Sequence, residues 1–293
     1  MTATEQTPVT TTRDGDVLVV TIDHPPVNAL SHAVRQGLMA AVALLETDAS
    51  LRAMVIASTG RIFIGGADIR EFGGPRLSPM LNDVCAALDA CTKPIVSAVH
   101  GAALGGGFEV ALASHGRVAS PAAVVAFPEV LLGLLPGAGG TQRAPRLCGA
   151  SLALDLMLSG RKLPAADALT AGLIDAIADD PRAAALAMAR ALAARGGELP
   201  RARHGGALSD RAAVAATLAA ARATLPTAYA GLYSPARIID CVEVAATCPF
   251  DEGCAYEAQA FLDCLASPQR AVLVERFFAE RAARKGANPP PMT

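Results

Sequence analysis

Short apolar runs, each followed by a loop and a helical stretch, constrain the fold of this chain more than any other feature. VLVVTI at 17–22, MVIA at 54–57 and IVSAV at 95–99 are too short for buried helices and rich in β-branched residues, so each reads as a strand. Ser31 is placed to cap a helix running to about Glu46, with Ala33, Leu38, Val42 and Leu45 toward one face. A helix is expected at 79–90, and short strands at 117–119 and 124–127. Strand, loop and helix in repetition predict an α/β fold with roughly parallel strands whose loops gather at one end. From Pro136 the pattern turns helical, with further helices at 151–159 and 164–171. RGGELPRARHGGALS (195–209) reads as a linker, and RARH within it as solvated loop. Residues 210–285 read as helices broken by Pro226, Pro235, Pro249 and Pro268. The expected division is a catalytic core over 1–200 and a helical region over 201–293.

Composition removes several function classes. The chain has 293 residues, 52% of them hydrophobic, and carries a net charge of −2 with no basic run, which speaks against a nucleic-acid partner. Its apolar runs are interrupted within about 12 residues, too short to cross a bilayer. The N-terminal MTATEQTPVTTTRDGD is polar, lacks a secretory signal and reads as a loose tail before the first strand. The seven cysteines form no CxxC pair, and Cys241, Cys248, Cys254 and Cys264 are irregularly spaced with no histidine near, so reduced packed thiols are expected and no metal site. The expected compartment is the cytoplasm.

Residues 103–116, ALGGGFEVALASHG, set three glycines before a helical stretch with Glu109 in its first turn. Glycine lets a ligand lie against bare backbone, and the first N–H groups of a helix lack intrahelical partners and attract negative charge. Close packing of this helix on a neighbouring strand explains the glycines equally well. RIFIGGADIREF (61–72) is a second small-residue loop after a strand, in which Asp68 reads first as a brace of the turn. Two such loops, each aiming one N–H at the same carbonyl oxygen, make an oxyanion hole suited to chemistry through an enolate. Glu109 and Glu129 are 129 − 109 = 20 residues apart, each alone in an apolar setting. Burial moves a carboxyl pKa toward neutrality, where it exchanges protons readily. The alternative is that either carboxylate holds backbone amides for structure alone. GxSxG, HExxH and GxGxxG after a strand are all missing, and LPGAGGTQR lacks the lysine of a phosphate-binding loop. His100 and His115 flank the glycine helix and read first as structural, with His100 kept as a supporting candidate.

FIGGADIREF (63–72), VHGAALGGGFE (99–109), FPEVLLGLLPGAGGTQRAPR (127–146) and LSGRKLPAADALTAGLID (158–175) together resemble the enoyl-CoA hydratase/isomerase (crotonase) superfamily. The resemblance covers roughly residues 15–195 and implies a spiral of ββα units with trailing helices. A closer likeness is to the N-terminal half of multifunctional β-oxidation enzymes, peroxisomal and bacterial. PPVNALS (25–31), LGLLPGAGGTQRAPRLCG (132–149) and the tail from PFDEGCAYEAQAF (249–261) onward carry it. In those enzymes such a tail leads into a 3-hydroxyacyl-CoA dehydrogenase, whereas this sequence ends at RKGANPPPMT. The chain is then either a stand-alone descendant or a truncated piece of such an enzyme, no dehydrogenase step is assigned to it, and beside the acyl-CoA substrate a separate 3-hydroxyacyl-CoA dehydrogenase is a candidate partner.

The resemblance implies hydration of a trans-2-enoyl-CoA to a 3-hydroxyacyl-CoA, with Δ3–Δ2 isomerisation at the same site and no cofactor beyond the CoA thioester. It makes Glu109 and Glu129 the catalytic carboxylates and gives the thioester oxygen to the N–H groups of Ala67 and Gly106. Gly65, Asp68 and Ile69 would grip the acyl-pantetheine junction, Pro128 and Gly137 would shape the acyl pocket, and Arg61 or Arg70 would meet CoA phosphates. Phe108, bulky beside them, leaves chain length open. The alternatives are another acyl-CoA hydrolase or lyase of the superfamily, or a non-catalytic acyl-CoA binder serving a dehydrogenase. The C-terminal helices, with Val272, Phe277 and Phe278 as an apolar face, are expected to fold over their own core in a monomer, a homotrimer being the alternative.

Overall fold

The computed structural model describes residues 7–71, 74–229 and 231–286. Its strands are β1 (Val9–Asp14), β2 (Val17–Ile22), β3 (Ala53–Ser58), β4 (Ile95–Val99), β5 (Ala102–Leu104), β6 (Gly116–Ala119), β7 (Val124–Ala126), β8 (Leu163–Pro164) and β9 (Ala176–Ile177). The helices begin with α1 (His32–Thr47), α2 (Leu81–Ala90), α3 (Gly106–Ala113), α4 (Gly140–Ser159), α5 (Ala165–Thr170) and α6 (Pro181–Arg195). Four more follow: α7 (Arg211–Ala228), α8 (Tyr233–Thr247), α9 (Phe250–Ala266) and α10 (Pro268–Gly286).

One sheet runs β1-β2-β3-β4-β6-β9, antiparallel between β1 and β2 and parallel thereafter. Its central strands read as unbroken apolar runs because helices cover both faces, and β4 is buried at every position. A smaller sheet holds β5, β7 and β8. Three times the chain lays a strand in the large sheet, a segment at the small one, then a helix: β3, Ile64 and α2; β4, β5 and α3; β6, β7 and α4. Ile64 makes the first of these turns through a single parallel bridge to Ala103. This is the predicted spiral of ββα units, and helices α7–α10 trail it. No described helix is long and apolar enough to cross a membrane.

Several local expectations are corrected. Residues 9–14 are not part of a loose tail but form the edge strand β1, paired along its length with β2. Five of its six residues face solvent, so no apolar alternation marks it, and only its threonines and Val9 hint at extended backbone. In α1 the buried stripe is Val34, Leu38, Ala41, Val42 and Leu45, whereas Ala33 is exposed. The helix expected from Pro136 starts at Gly140, and 151–159 belongs to it beyond a break at Gly149 (φ 82°, ψ 164°). RARH is packed, not solvated: Arg201 donates to the Asp89 and Cys91 carbonyls, and Arg203 pairs with the Asp89 carboxylate at 2.6 Å. In α10, Val272 is 67% exposed, while Val274 packs on the core. The side chains of Phe277 and Phe278 lie outside the described residues.

Candidate active site

The loop after β3 and the N-terminal end of α3 meet across one cavity of about 370 Å³. Glu109, Glu129, Ala67 and Gly106 all line it, and so do Gly65, Asp68, Ile69, Pro128 and Gly137. The loop is fixed from two sides. Gly65 N–H donates to the Val27 carbonyl (2.8 Å), and Leu30 N–H to Gly66 (2.9 Å). Asp68 is indeed a brace, accepting the Arg70 backbone N–H at 3.0 Å and pairing with its guanidinium at 2.7 Å, which holds the Asp68 carboxyl below its ordinary range. Arg35 of α1 staples the rest, donating to the carbonyls of Leu30 (2.9 Å) and Pro79 (2.7 Å) and to the Glu71 carboxylate (2.7 Å).

Each glycine of the triplet answers a different demand. Gly105 has φ +50°, and a β-carbon there would stand 2.6 Å from Glu129 Oε1. One at Gly106 would press on Leu81 Cδ2 (2.6 Å) and lie 3.4 Å from Ala67 N. One at Gly107 would collide with the Ile64 carbonyl at 2.4 Å. Close packing and an open backbone face thus both operate, at neighbouring positions. The N–H groups of Ala67 and Gly106 donate to no protein acceptor among the described residues. Two free amides on one cavity wall form a ready pair of donors for an anion or a developing oxyanion.

The two carboxyls differ. Glu109 is buried in the first turn of α3, and its Oε1 accepts the N–H groups of Ala138 (2.7 Å) and Gly140 (2.8 Å). Burial raises its pKa, while those two hydrogen bonds and the Arg143 guanidinium work the other way. Glu129 sits in a 3₁₀ turn (Pro128–Leu132); its Oε2 is sealed from solvent and accepts no hydrogen bond. Burial, and next the charge of Glu109, push its pKa well above the ordinary value. Both carboxyls are thus shifted upward, Glu129 the further, and only Glu109 accepts backbone hydrogen bonds that favour its anion.

A comparison with protein-family models matches residues 12–207 to "Enoyl-CoA hydratase/isomerase". The chain belongs to that family. The peroxisomal bifunctional enzyme of Danio rerio is 38% identical over 282 residues, covering 93% of this chain and 38% of its own length. The chain thus spans about two fifths of that relative, in a match that takes in the helices beyond residue 207. A probable enoyl-CoA hydratase of Bacillus subtilis (strain 168) is 42% identical over 189 residues, 62% of this chain and 73% of that one. Among solved structures, the carnitinyl-CoA hydratase of Mycobacterium avium superposes with a TM-score of 0.70 at 28% identity, over 94% of this chain and 97% of that one.

Other candidates of this hydratase/isomerase-family chain stand apart from the cavity. Phe108 is wholly buried, its ring 4.9 Å from that of Phe127, and is a core residue. His100 Nε2 meets the Gly60 carbonyl at 3.1 Å, and His115 Nδ1 accepts the Ile95 N–H. Burial pushes the His115 pKa down to about 4, so it is neutral. Arg61 and Arg70 do not line the cavity either, and Arg70 is turned to Asp68. Sequence reasoning missed the contribution of α9: Ala258, Phe261, Leu262 and Leu265 close one side of the cavity. A β-carbon on Gly137 would enter the Phe261 ring at 2.5 Å. It also missed Glu257, buried beneath Gly139 and Thr141. Its signal was the one that singled out Glu109, a lone carboxyl on an apolar stripe, here Gly253, Glu257, Ala260 and Cys264.

Proposed function

We propose that this chain adds water to trans-2-enoyl-CoA thioesters to give 3-hydroxyacyl-CoA, as a step of fatty-acid β-oxidation. The observation that carries the reading is the convergence of buried Glu109, half-buried Glu129 and two unpaired backbone N–H groups on one cavity. The amides of Ala67 and Gly106 hold the thioester oxygen as negative charge gathers there, and each such donor contributes on the order of 100- to 1,000-fold in rate. Glu109, anchored by its two amides, takes a proton from water as the oxygen adds to C3. Glu129, which keeps its proton, delivers it to C2, so one water is added overall and the proton then passes back between the carboxyls. This chemistry uses only the two carboxyls, the two amides and the CoA thioester.

Because Glu129 Oε2 has no protein partner, it is free to carry a proton between C4 and C2, which supports Δ3–Δ2 isomerisation at the same site. The C-terminal helices pack on their own core, which supports a monomeric enzyme, and cytoplasmic residence remains the proposed location. Purified protein is incubated with crotonyl-CoA and longer trans-2-enoyl-CoAs while loss of the conjugated absorbance is followed. Hydration supports the reading; no hydration of any of them overturns it, and CoA release without hydration points to a hydrolase.

A further inference from the structure

The start of α4 offers four consecutive backbone N–H groups, and two carboxylates share them alternately. Ala138 and Gly140 donate to Glu109 Oε1, whereas Gly139 donates to Glu257 Oε1 (2.5 Å) and Thr141 to Glu257 Oε2 (2.8 Å). The Thr141 hydroxyl adds a third hydrogen bond to Glu257 at 2.5 Å, and Gln142 Nε2 donates to that hydroxyl at 3.0 Å. Glu257 is completely buried, comes from α9 and does not line the cavity. One turn earlier on the same helix, a β-carbon at Gly253 would stand 2.1 Å from Gln142 Oε1. The approach of α9 to α4 is therefore close and sterically fixed.

We propose that Glu257 is a positioning residue: from the C-terminal helix it fixes the peptide planes of Gly139 and Thr141, so that the alternate amides of Ala138 and Gly140 hold Glu109 in its reacting orientation. The physical reason is the alternation. Successive peptide planes share their Cα atoms, so turning the Gly139 and Thr141 amides turns those of Ala138 and Gly140. Without Glu257 the Gly139 and Thr141 amides become buried donors lacking an acceptor, which costs free energy and drives them toward the nearest carboxylate, Glu109. Arg143, which donates to the Ala138 carbonyl at 3.0 Å, is the cation set beside this loop.

This inference rests on the hydratase reading for its kinetic arm and stands without it for its structural arm. The full chain and its Glu257→Gln and Glu257→Ala variants are compared by crotonyl-CoA hydration and by residue-resolved amide hydrogen exchange. Displacing a reacting group by about 1 Å costs on the order of 100-fold, so kcat of Glu257→Ala falls by about that factor, with KM within about twofold. Glu257→Gln, which keeps one acceptor oxygen, falls less. Exchange at Ala138 and Gly140 quickens more than in the rest of α4. Unchanged kcat, or unchanged protection at those two amides, overturns the inference, and so does a fall in thermal stability alone. Should Glu257→Ala fail to fold, Thr141→Val removes the hydroxyl hydrogen bond to Glu257, together with the one that hydroxyl accepts from Gln142, and gives the same pattern at smaller size. Inactive native protein sinks the hydratase reading, while the exchange measurement still decides the role of Glu257.

Discussion

Glu109 Oε1 accepts two backbone N–H groups, whereas Glu129 Oε2 accepts none. In the proposed mechanism that contrast separates a base from an acid within a pair of identical side chains. Glu109→Gln and Glu129→Gln each lower kcat for hydration by at least about 100-fold, the usual worth of a positioned acid or base. KM stays near its native value in both; a variant that keeps native kcat removes that residue from the mechanism. Stability carries a second signature. A carboxyl with a raised pKa keeps its proton in the folded state over a range where the unfolded chain has released it, so stability falls as pH rises through that window. For Glu257, burial and the charge of Glu109 push the pKa from 4.5 up to about 8. His115, pushed from 6.5 down to about 4, gives the opposite slope, and only below pH 6.5. Between about pH 6.5 and 8 the melting temperature of the native protein therefore falls, and Glu257→Gln flattens that fall. An identical slope in the variant contradicts the assignment.

Helix α3 is buried at all eight positions and points its N-terminal end at the cavity, and this explains why it begins with glycines. The small residues let it seat against Ile64 and leave the Gly106 amide bare. Gly106→Ala sets a methyl group beside Ala67 N and against Leu81, blocking the oxygen's approach to both donors. Its kcat/KM for crotonyl-CoA falls by about 100-fold or more, the cost of losing an oxyanion donor. The melting temperature falls only modestly, because the nearest atom is the flexible end of a leucine; a variant with native kcat/KM places the thioester oxygen elsewhere. At this scale the sequence was legible where burial is two-sided: β2 and β4 lie where their apolar runs predict. It was silent on β1, whose outward residues carry no pattern, and on RARH, where Arg203 is drawn down by the buried Asp89 carboxylate and Arg201 by the Asp89 and Cys91 carbonyls.

At the scale of the whole molecule, α9 and α10 lie on the chain's own catalytic region, α9 closing the cavity with Phe261, Leu262 and Leu265. A chain that covers its own site in this way does not need a second copy to complete it. Size-exclusion chromatography with light scattering is expected to give the mass of one chain, and a stable trimer contradicts this. The α/β cadence, the two glycine loops and the two solitary glutamates are legible in the amino-acid order alone, because periodicity, backbone freedom and the cost of a lone buried charge act locally. Nine residues that the resemblance named line one cavity, whereas Arg61 and Arg70, named with them for the CoA phosphates, do not. Only the tertiary structure decided that Glu109 and Glu129 face different partners and that Arg70 serves Asp68. It alone set a glutamate 116 residues beyond Thr141 beneath the same turn of backbone. Hydrogen-bond partners and shared burial arise between segments remote in sequence, and no local pattern specifies which segments those will be.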